Sequence, residues 1–199
     1  YGDATGLKIN NAKSTATPIC CSNVDLNILL QSFGGPTTQF PIRYLGLPLT
    51  TGRLRLVHLQ FILDRIRARL TGWKGKMLSI AGRRVLVRCV LTAMPTFALT
   101  ALRFPAKLLK EIDKCIRRFL WGQDQELSGG SCKVSWERVC SSIEHGGLGI
   151  LDLKKFSRAL RLRWLWHAWK SPERPWAGTE PPCDASDHTL FTDRRPAPE

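Results

Sequence analysis

The spacing of apolar residues predicts a mainly helical protein from Leu54 onward. Apolar side chains recur three and four positions apart, the period of one helix face, along three stretches: Leu59 to Leu70, Val85 to Met94 and Leu108 to Leu120. Each stretch is longer than a typical strand; charged residues separate the apolar ones in the first and third, whereas the second has only a narrow polar strip. The pattern therefore favours three amphipathic helices that share a core.

Residues suited to begin or end a helix flank these stretches. Ser79 is a predicted N-cap for the second helix, Pro95 is expected to stop it, and Pro105 is expected to open the third. Asp152 is a candidate cap for a fourth helix, whose inner face would carry Leu153, Phe156, Leu160 and Trp164. Between the third and fourth helices we expect only short strands or turns, near Trp136 and at the glycine-rich residues 146–149.

The first fifty residues read as strands and turns. Residues 6–10 alternate as in a half-buried strand, and one short helix is expected within residues 22–30. Residues 44–49 predict a strand or tight hairpin, in which Gly46 allows a bend and Pro48 marks an edge. The expected fold class is mainly α: a helical bundle with a small β-hairpin or strand region at the N-terminus.

Composition divides the chain into four segments. The expected boundaries are residues 1–52 for the strand and hairpin region, 53–122 for the basic helices, 123–170 for a connection with a Trp-rich helix, and 171–199 for a tail. Because the last segment is rich in proline and lacks any periodicity, we expect it to be disordered.

Positive charge is concentrated in the helical stretch. The chain carries a net charge of +14, and residues 53–118 hold 16 of its 30 Lys and Arg residues but only three of its 16 acids. A folded surface with this charge repels itself unless a polyanion neutralises it, and nucleic acid is the leading candidate. The alternative is a solvated basic face without a partner.

The residues expected to contact nucleic acid lie on two successive helices and on the link between them. Arg84 and Arg88, one turn apart, should form the exposed strip of the second helix, and five bases from Lys107 to Arg118 should line the outer face of the third. Trp73 has two interpretations, stacking on a base or sugar and packing in the core. The predicted contact set is Arg65, Arg69, Trp73, Lys74, Lys76, Arg83, Arg84 and Arg88.

The chain offers little for catalysis or metal binding. Two-metal phosphoryl chemistry needs converging carboxylates, which are not visible, so no catalytic residue is assigned. Cys132, Cys140 and His145 match no zinc template, so no metal site and no cofactor are expected. Cys89 and Cys115 are expected to be small core residues. The absence of a signal peptide or an apolar span predicts an intracellular, nuclear protein without a membrane partner.

Several short motifs resemble one family, the plant non-LTR (long interspersed element) reverse transcriptases. The matching motifs occur in the family's order and cover roughly residues 5–170. They are GLKINNAKS at residues 6–14, YLGLPL at 44–49, WKGKMLS at 73–79 with AGR at 81–83, FLWG at 119–122, Trp136, GGLGI at 146–150 and Ala159-Leu160.

This resemblance implies a late-palm and thumb fragment of an RNA-directed DNA polymerase encoded by a retrotransposon. Lys8 to Ser14 would lie at the late palm strand, and Tyr44, Leu45, Gly46 and Leu47 would form a primer-grip-like hairpin. The basic helices would hold the template–primer, an RNA–DNA or DNA duplex. The family's catalytic Tyr-x-Asp-Asp motif and its Mg²⁺ would lie upstream of this chain, which alone would be inactive and would need the missing polymerase portion.

Two alternatives to this fragment interpretation stay open at the level of sequence. One is a domesticated helical protein that binds nucleic acid without catalysis. The other is a pseudogene product that has no function.

Overall fold

The structure is a computed structural model, and it divides into two compact units, Tyr1–Arg53 and Leu54–Glu199. The structure describes residues 2–31, 33–71, 77–121, 132, 134–179 and 183–188. The finer boundaries expected at residues 122 and 170 stay predictions.

The N-terminal unit has little regular structure. Its elements are helix α1 (Gly2–Thr5), a 3-10 turn (Asn11–Lys13), helix α2 (Leu26–Leu30) and strands β1 (Ile42–Tyr44) and β2 (Leu47–Leu49). The strand expected over residues 6–10 does not form. Gly6 adopts a left-handed conformation with φ of 70° and Ile9 is 83% exposed, so the alternating pattern there has no buried face.

The predicted hairpin at residues 44–49 is confirmed. Strands β1 and β2 pair antiparallel with Ile42 opposite Leu49 and Tyr44 opposite Leu47. The two turn residues, Leu45 and Gly46, both have positive φ, 51° and 81°. Positive φ at both central positions matches the right-handed twist of the strands, and Gly46 adopts it without steric cost.

The C-terminal unit is helical, which confirms the mainly α class with a small two-stranded sheet near the N-terminus. Its elements are α3 (Leu56–Thr71), α4 (Ile80–Leu86), a π-helical turn (Val87–Leu91), α5 (Thr96–Ala101), α6 (Ala106–Trp121), α7 (Trp136–Cys140), a 3-10 turn (Ile143–His145), α8 (Leu153–Lys170) and α9 (Ala185–His188).

Helix α6 forms the centre of this unit, because it contacts α3, α4, the π-helical turn and α8. Four of its side chains are completely buried: Leu108, Ile112, Ile116 and Leu120. The facing stripe of α3 is buried as well and consists of Leu59, Ile62, Leu63 and Ile66. The inner faces predicted for these two helices from apolar spacing are therefore confirmed.

The second predicted helix begins as expected but continues differently. The Ser79 hydroxyl accepts a hydrogen bond from the Gly82 amide, which confirms the cap. The π-helical turn continues α4 to Leu91, and a turn over residues 92–95 then separates it from α5, which has Pro95 at its N-cap. The Thr92 and Thr96 hydroxyls donate to backbone carbonyls one turn earlier, at 2.7 Å and 3.0 Å. The acceptors, the carbonyls of Arg88 and Thr92, lie close in sequence to Pro95, which has no N–H group to donate.

Two cysteines expected in the core differ from that expectation. Cys89, in the π-helical turn, is exposed and Cys115, on α6, is only half-buried. Val87 and Leu91 supply the buried face of the π-helical turn instead. Position 89 lies midway between these two residues and therefore on the opposite side of the helical turn.

Helix α8 has its predicted cap but a different buried face. The Asp152 carboxylate accepts hydrogen bonds from the backbone amides of Lys154 and Lys155. The buried residues are Leu153, Ser157, Arg161 and Leu165, so the inner face is rotated from the predicted one. Apolar spacing missed it because two of its four members are polar, and Trp164, placed inside by the prediction, is 36% exposed.

The region around Trp136 is helical, where a short strand or turn was expected. Ser135 caps α7 by accepting a hydrogen bond from the Arg138 amide at 3.4 Å. None of the described helices combines the length and apolarity needed to cross a bilayer.

The described part of the C-terminal segment makes specific contacts, where disorder was expected. Residues 171–179 form turns. Two hydrogen bonds join Arg158 on α8 to the buried Asp187, and Arg103 pairs with Asp184 at 2.5 Å. Arginine and carboxylate pair well because the guanidinium offers several donors in a fixed plane. The rest of the predicted tail lies outside the described residues.

Candidate nucleic-acid interface

Two predicted contact residues, Arg65 and Arg69, lie exposed on one side of α3. They are four positions apart and therefore occupy neighbouring positions on the helix surface, away from the buried stripe. Arg67, on the other side of the helix, lies 3.9 Å from the Asp64 carboxylate. Arg65 and Arg69 form no ion pair within the described part of the chain.

A second row of bases lies on α6 and was not in the predicted contact set. Lys107, Lys110 and Lys114 are exposed, at spacings of three and four residues, and among the described residues none of them forms an ion pair. Glu111, on the same helix, is half-buried. The helical period of these lysines is the signal that would have identified them. Together with Arg65 and Arg69 they are called the exposed basic set.

The remaining arginines of the predicted contact set differ from one another. Arg88 is exposed as expected, but Arg84 is half-buried, and its Nε donates to the Leu148 carbonyl at 2.6 Å. Arg83 is half-buried as well, with Nη1 3.5 Å from the Leu120 carbonyl. The expectation that Arg84 is a solvated residue is wrong, because a loop 64 residues later in the chain folds against it.

We expect the Arg84→Ala substitution to lower the free energy of unfolding by about 1 to 3 kcal/mol. The substitution removes the charged donor of the Leu148 carbonyl. The matched control is Arg88→Ala, one turn away and exposed, which should change the free energy of unfolding by less than about 0.5 kcal/mol. Urea denaturation followed by circular dichroism measures both, and equal stabilities of the two variants would contradict this assignment.

The glycine-rich residues 146–149 form a structural loop and not a phosphate cradle. Gly146 and Gly149 adopt left-handed conformations, with φ of 75° and 63°. The amides of Gly147, Leu148 and Gly149 donate to the carbonyls of Ser142, Val139 and Ser141. Because these three N–H groups are already bonded within the protein, the loop does not present them to a phosphate. The predicted turn feeding a helix is confirmed.

Trp73, Lys74 and Lys76 lie outside the described residues. Tyr44 and Leu45 are 65% and 74% exposed at the end of the hairpin in the N-terminal unit. The primer-grip-like role of the hairpin residues stays a prediction.

Part of the outer face predicted for α6 is turned into the protein, where a polar cluster lies beside α7. The Arg117 guanidinium lies 4.7 Å from the centre of the Trp136 ring, and Arg117 is half-buried. Burial raises the pKa of the nearby Asp113 carboxyl to about 6, with Arg117 acting in the opposite direction. Arg117 is therefore engaged with Trp136 and Asp113 and is less accessible to phosphate than the lysines of α6.

The thiol of Cys140 belongs to the same region. Burial and the charges of Asp152 and Asp113 raise its pKa to about 11, so the thiol is protonated at neutral pH. Metal binding and nucleophilic attack both need the thiolate, so this environment disfavours either role. The described residues contain no group of three His, Cys, Asp or Glu side chains that could hold a metal ion. The expectations of no catalytic residue and no cofactor stay predictions.

No family model matches the chain. A relative from Arabidopsis thaliana, named as a ribonuclease H protein, is 36% identical over 115 residues, which is 58% of this chain. The chain spans only 18% of the length of that relative.

This finding corrects the resemblance to non-LTR reverse transcriptases. The relative carries the name of a ribonuclease H protein and not of a reverse transcriptase, so the identification from short motifs is wrong. The retrotransposon polymerase and thumb functions that it implied are wrong with it. Motif residues such as Gly46, Ser79 and Gly146 form a turn, a helix cap and a left-handed helix end in the structure. These motif residues indicate local backbone conformation, and proteins with different activities can share the same local conformation.

Proposed function

We propose that the helical unit binds the sugar–phosphate backbone of nucleic acid, as a substrate-holding part of a ribonuclease H-type protein. The observation that carries the proposal is the exposed basic set, Arg65, Arg69, Lys107, Lys110 and Lys114. These five side chains lie on two helices packed against each other and form no ion pair within the described residues. Nucleic acid should bind such a surface favourably, because each phosphate that a Lys or Arg neutralises releases condensed counterions.

Two further facts support this proposal. The ribonuclease H name of the relative indicates an RNA-containing substrate. The exposed basic set also lies on two long helices that pack on a buried core, and not on a loop. Contacts of this kind read phosphate positions and not base identity, so binding should be independent of sequence.

The proposal predicts the salt dependence of binding. If about five phosphates are neutralised, the logarithm of the binding constant for a duplex should fall with the logarithm of salt concentration at a slope of about −4 to −5. The double variant Arg65→Ala/Arg69→Ala should make that slope less steep by about 2. Fluorescence anisotropy with a labelled RNA–DNA duplex over a salt series measures both quantities.

A charge-matched control tests whether binding depends on these particular positions or only on the net charge of the chain. The double variant Lys8→Ala/Lys13→Ala removes the same charge from exposed positions in the N-terminal unit. It should leave the slope nearly unchanged. If the two double variants behave alike, or if the arginine variant binds as the parent protein does, the exposed basic set is not the interface.

A further inference from the structure

We infer that the solvent-facing side of α8 is a second nucleic-acid site, which stacks unpaired bases on Trp166. The inference uses no residue of the exposed basic set and does not depend on the duplex interface. Trp166 is 45% exposed on a helix whose other large apolar residues are mostly half-buried or buried. An exposed tryptophan with basic side chains beside it offers an aromatic surface on which a base can stack.

The two tryptophan pairs of α8 have different surroundings. Trp164 donates its indole N–H to the Thr100 carbonyl at 2.9 Å and packs edge-on against Trp176, with ring centres 5.3 Å apart. This pair joins α8 to α5 and to the turns that follow α8, which is a structural role. The second pair, Trp166 and Trp169, has ring centres 5.1 Å apart at an interplanar angle of 45°.

The charge around Trp166 fits a phosphate backbone. Arg163, three residues before Trp166, and Lys170, four residues after it, are exposed on the same side of the helix. The Arg163 Nε lies 3.3 Å from the His167 Nε2, which directs the guanidinium along the helix. Helix α8 contains six Lys and Arg residues and no Asp or Glu between its first and last residues.

Stacking on an aromatic ring next to basic side chains is the usual mode of single-strand binding, because every base has a π-face. A duplex cannot use this site without unpairing, since its bases are stacked on one another. The expected ligand class is therefore a single strand of RNA or DNA, recognised without sequence preference. A protein that bound the same surface would need acidic side chains for Arg163 and Lys170 together with a site for the Trp166 ring.

The experiment compares the affinity of the full chain for a labelled oligouridine with its affinity for an abasic oligomer of equal length and charge. Oligouridine should bind more tightly. The Trp166→Ala substitution should weaken oligouridine binding by about 5- to 100-fold, the range expected for one stacked base, and Trp166→Phe should keep part of that affinity. Because stacking releases no counterions, the salt slope should not change.

The matched control is Phe97→Ala, which removes another exposed aromatic side chain, 60% exposed, from α5, a helix without charged residues. It should leave oligouridine binding unchanged, and Trp166→Ala should leave duplex binding unchanged. Equal binding of the abasic oligomer, or equal effects of the two alanine variants, would overturn the inference. So would a loss of self-association in Trp166→Ala without any loss of oligouridine affinity, since the surface would then join copies of this chain.

Discussion

The Ile112→Ala substitution is expected to lower the free energy of unfolding of the helical unit by about 2 to 5 kcal/mol. Ile112 is completely buried on α6. The substitution removes apolar contacts and leaves a cavity in the helix that contacts α3, α4, the π-helical turn and α8. Because four elements share the contacts of α6, no single one can move inward to fill the cavity without losing contacts elsewhere.

The matched control for this prediction is Ile80→Ala at the start of α4. Ile80 is 54% exposed, so the same atoms are deleted with little change in buried area. We expect its free energy of unfolding to stay within about 0.5 kcal/mol of the parent protein. Urea unfolding of the full chain, followed by far-ultraviolet circular dichroism, compares the two variants. A similar midpoint for both would mean that α6 is not the centre of the core.

The Gly147→Ala substitution is expected to destabilise the loop after α7 by about 2 to 3 kcal/mol. A Cβ atom at this position would overlap the Ser141 carbonyl and lie 2.8 Å from the Arg138 carbonyl oxygen. Both neighbours are backbone atoms. They cannot shift cheaply, because the Ser141 carbonyl already accepts from the Gly149 amide at 2.9 Å and fixes the return of the loop.

The effect of Gly147→Ala should extend to α4. Displacing the loop moves the Leu148 carbonyl, the acceptor of the Arg84 guanidinium. The matched control is Gly178→Ala, where an added Cβ meets no atom within 4 Å. We therefore expect a lower urea midpoint for Gly147→Ala only. Unchanged midpoints for both glycine variants would contradict the close approach of the loop to α7.

Much of the helical unit could be predicted from the sequence because its longest helices carry a regular period. The inner faces of α3 and α6 followed directly from residues at spacings of three and four, and the caps at Ser79 and Asp152 followed from side chains able to accept backbone N–H groups. These features depend on residues within one or two turns of each other, so local sequence is sufficient to specify them.

The candidate interface was only partly predictable. Charge counting located the basic stretch, and the exposure of Arg65, Arg69 and Arg88 agrees with it. Counting could not distinguish Arg84 from Arg88, since both lie on the polar side of one helix. It also overlooked α8, because the acids and bases of the following segment balance when they are summed along the chain. Helix α8 itself contains six bases and no acid, although Arg158 pairs with Asp187 of the following segment.

The sequence by itself determined the helical class, the main inner faces and the position of the excess positive charge, because each depends on composition or on short-range periodicity. Only the tertiary structure decided which charges face water. Arg84 and Arg117 are drawn inward by Leu148 and Trp136, residues far away in the chain, while Trp166 is 45% exposed although it is among the largest side chains of α8. Burial of a long amphipathic side chain depends on what packs beside it, and that neighbour is set by long-range packing of the chain.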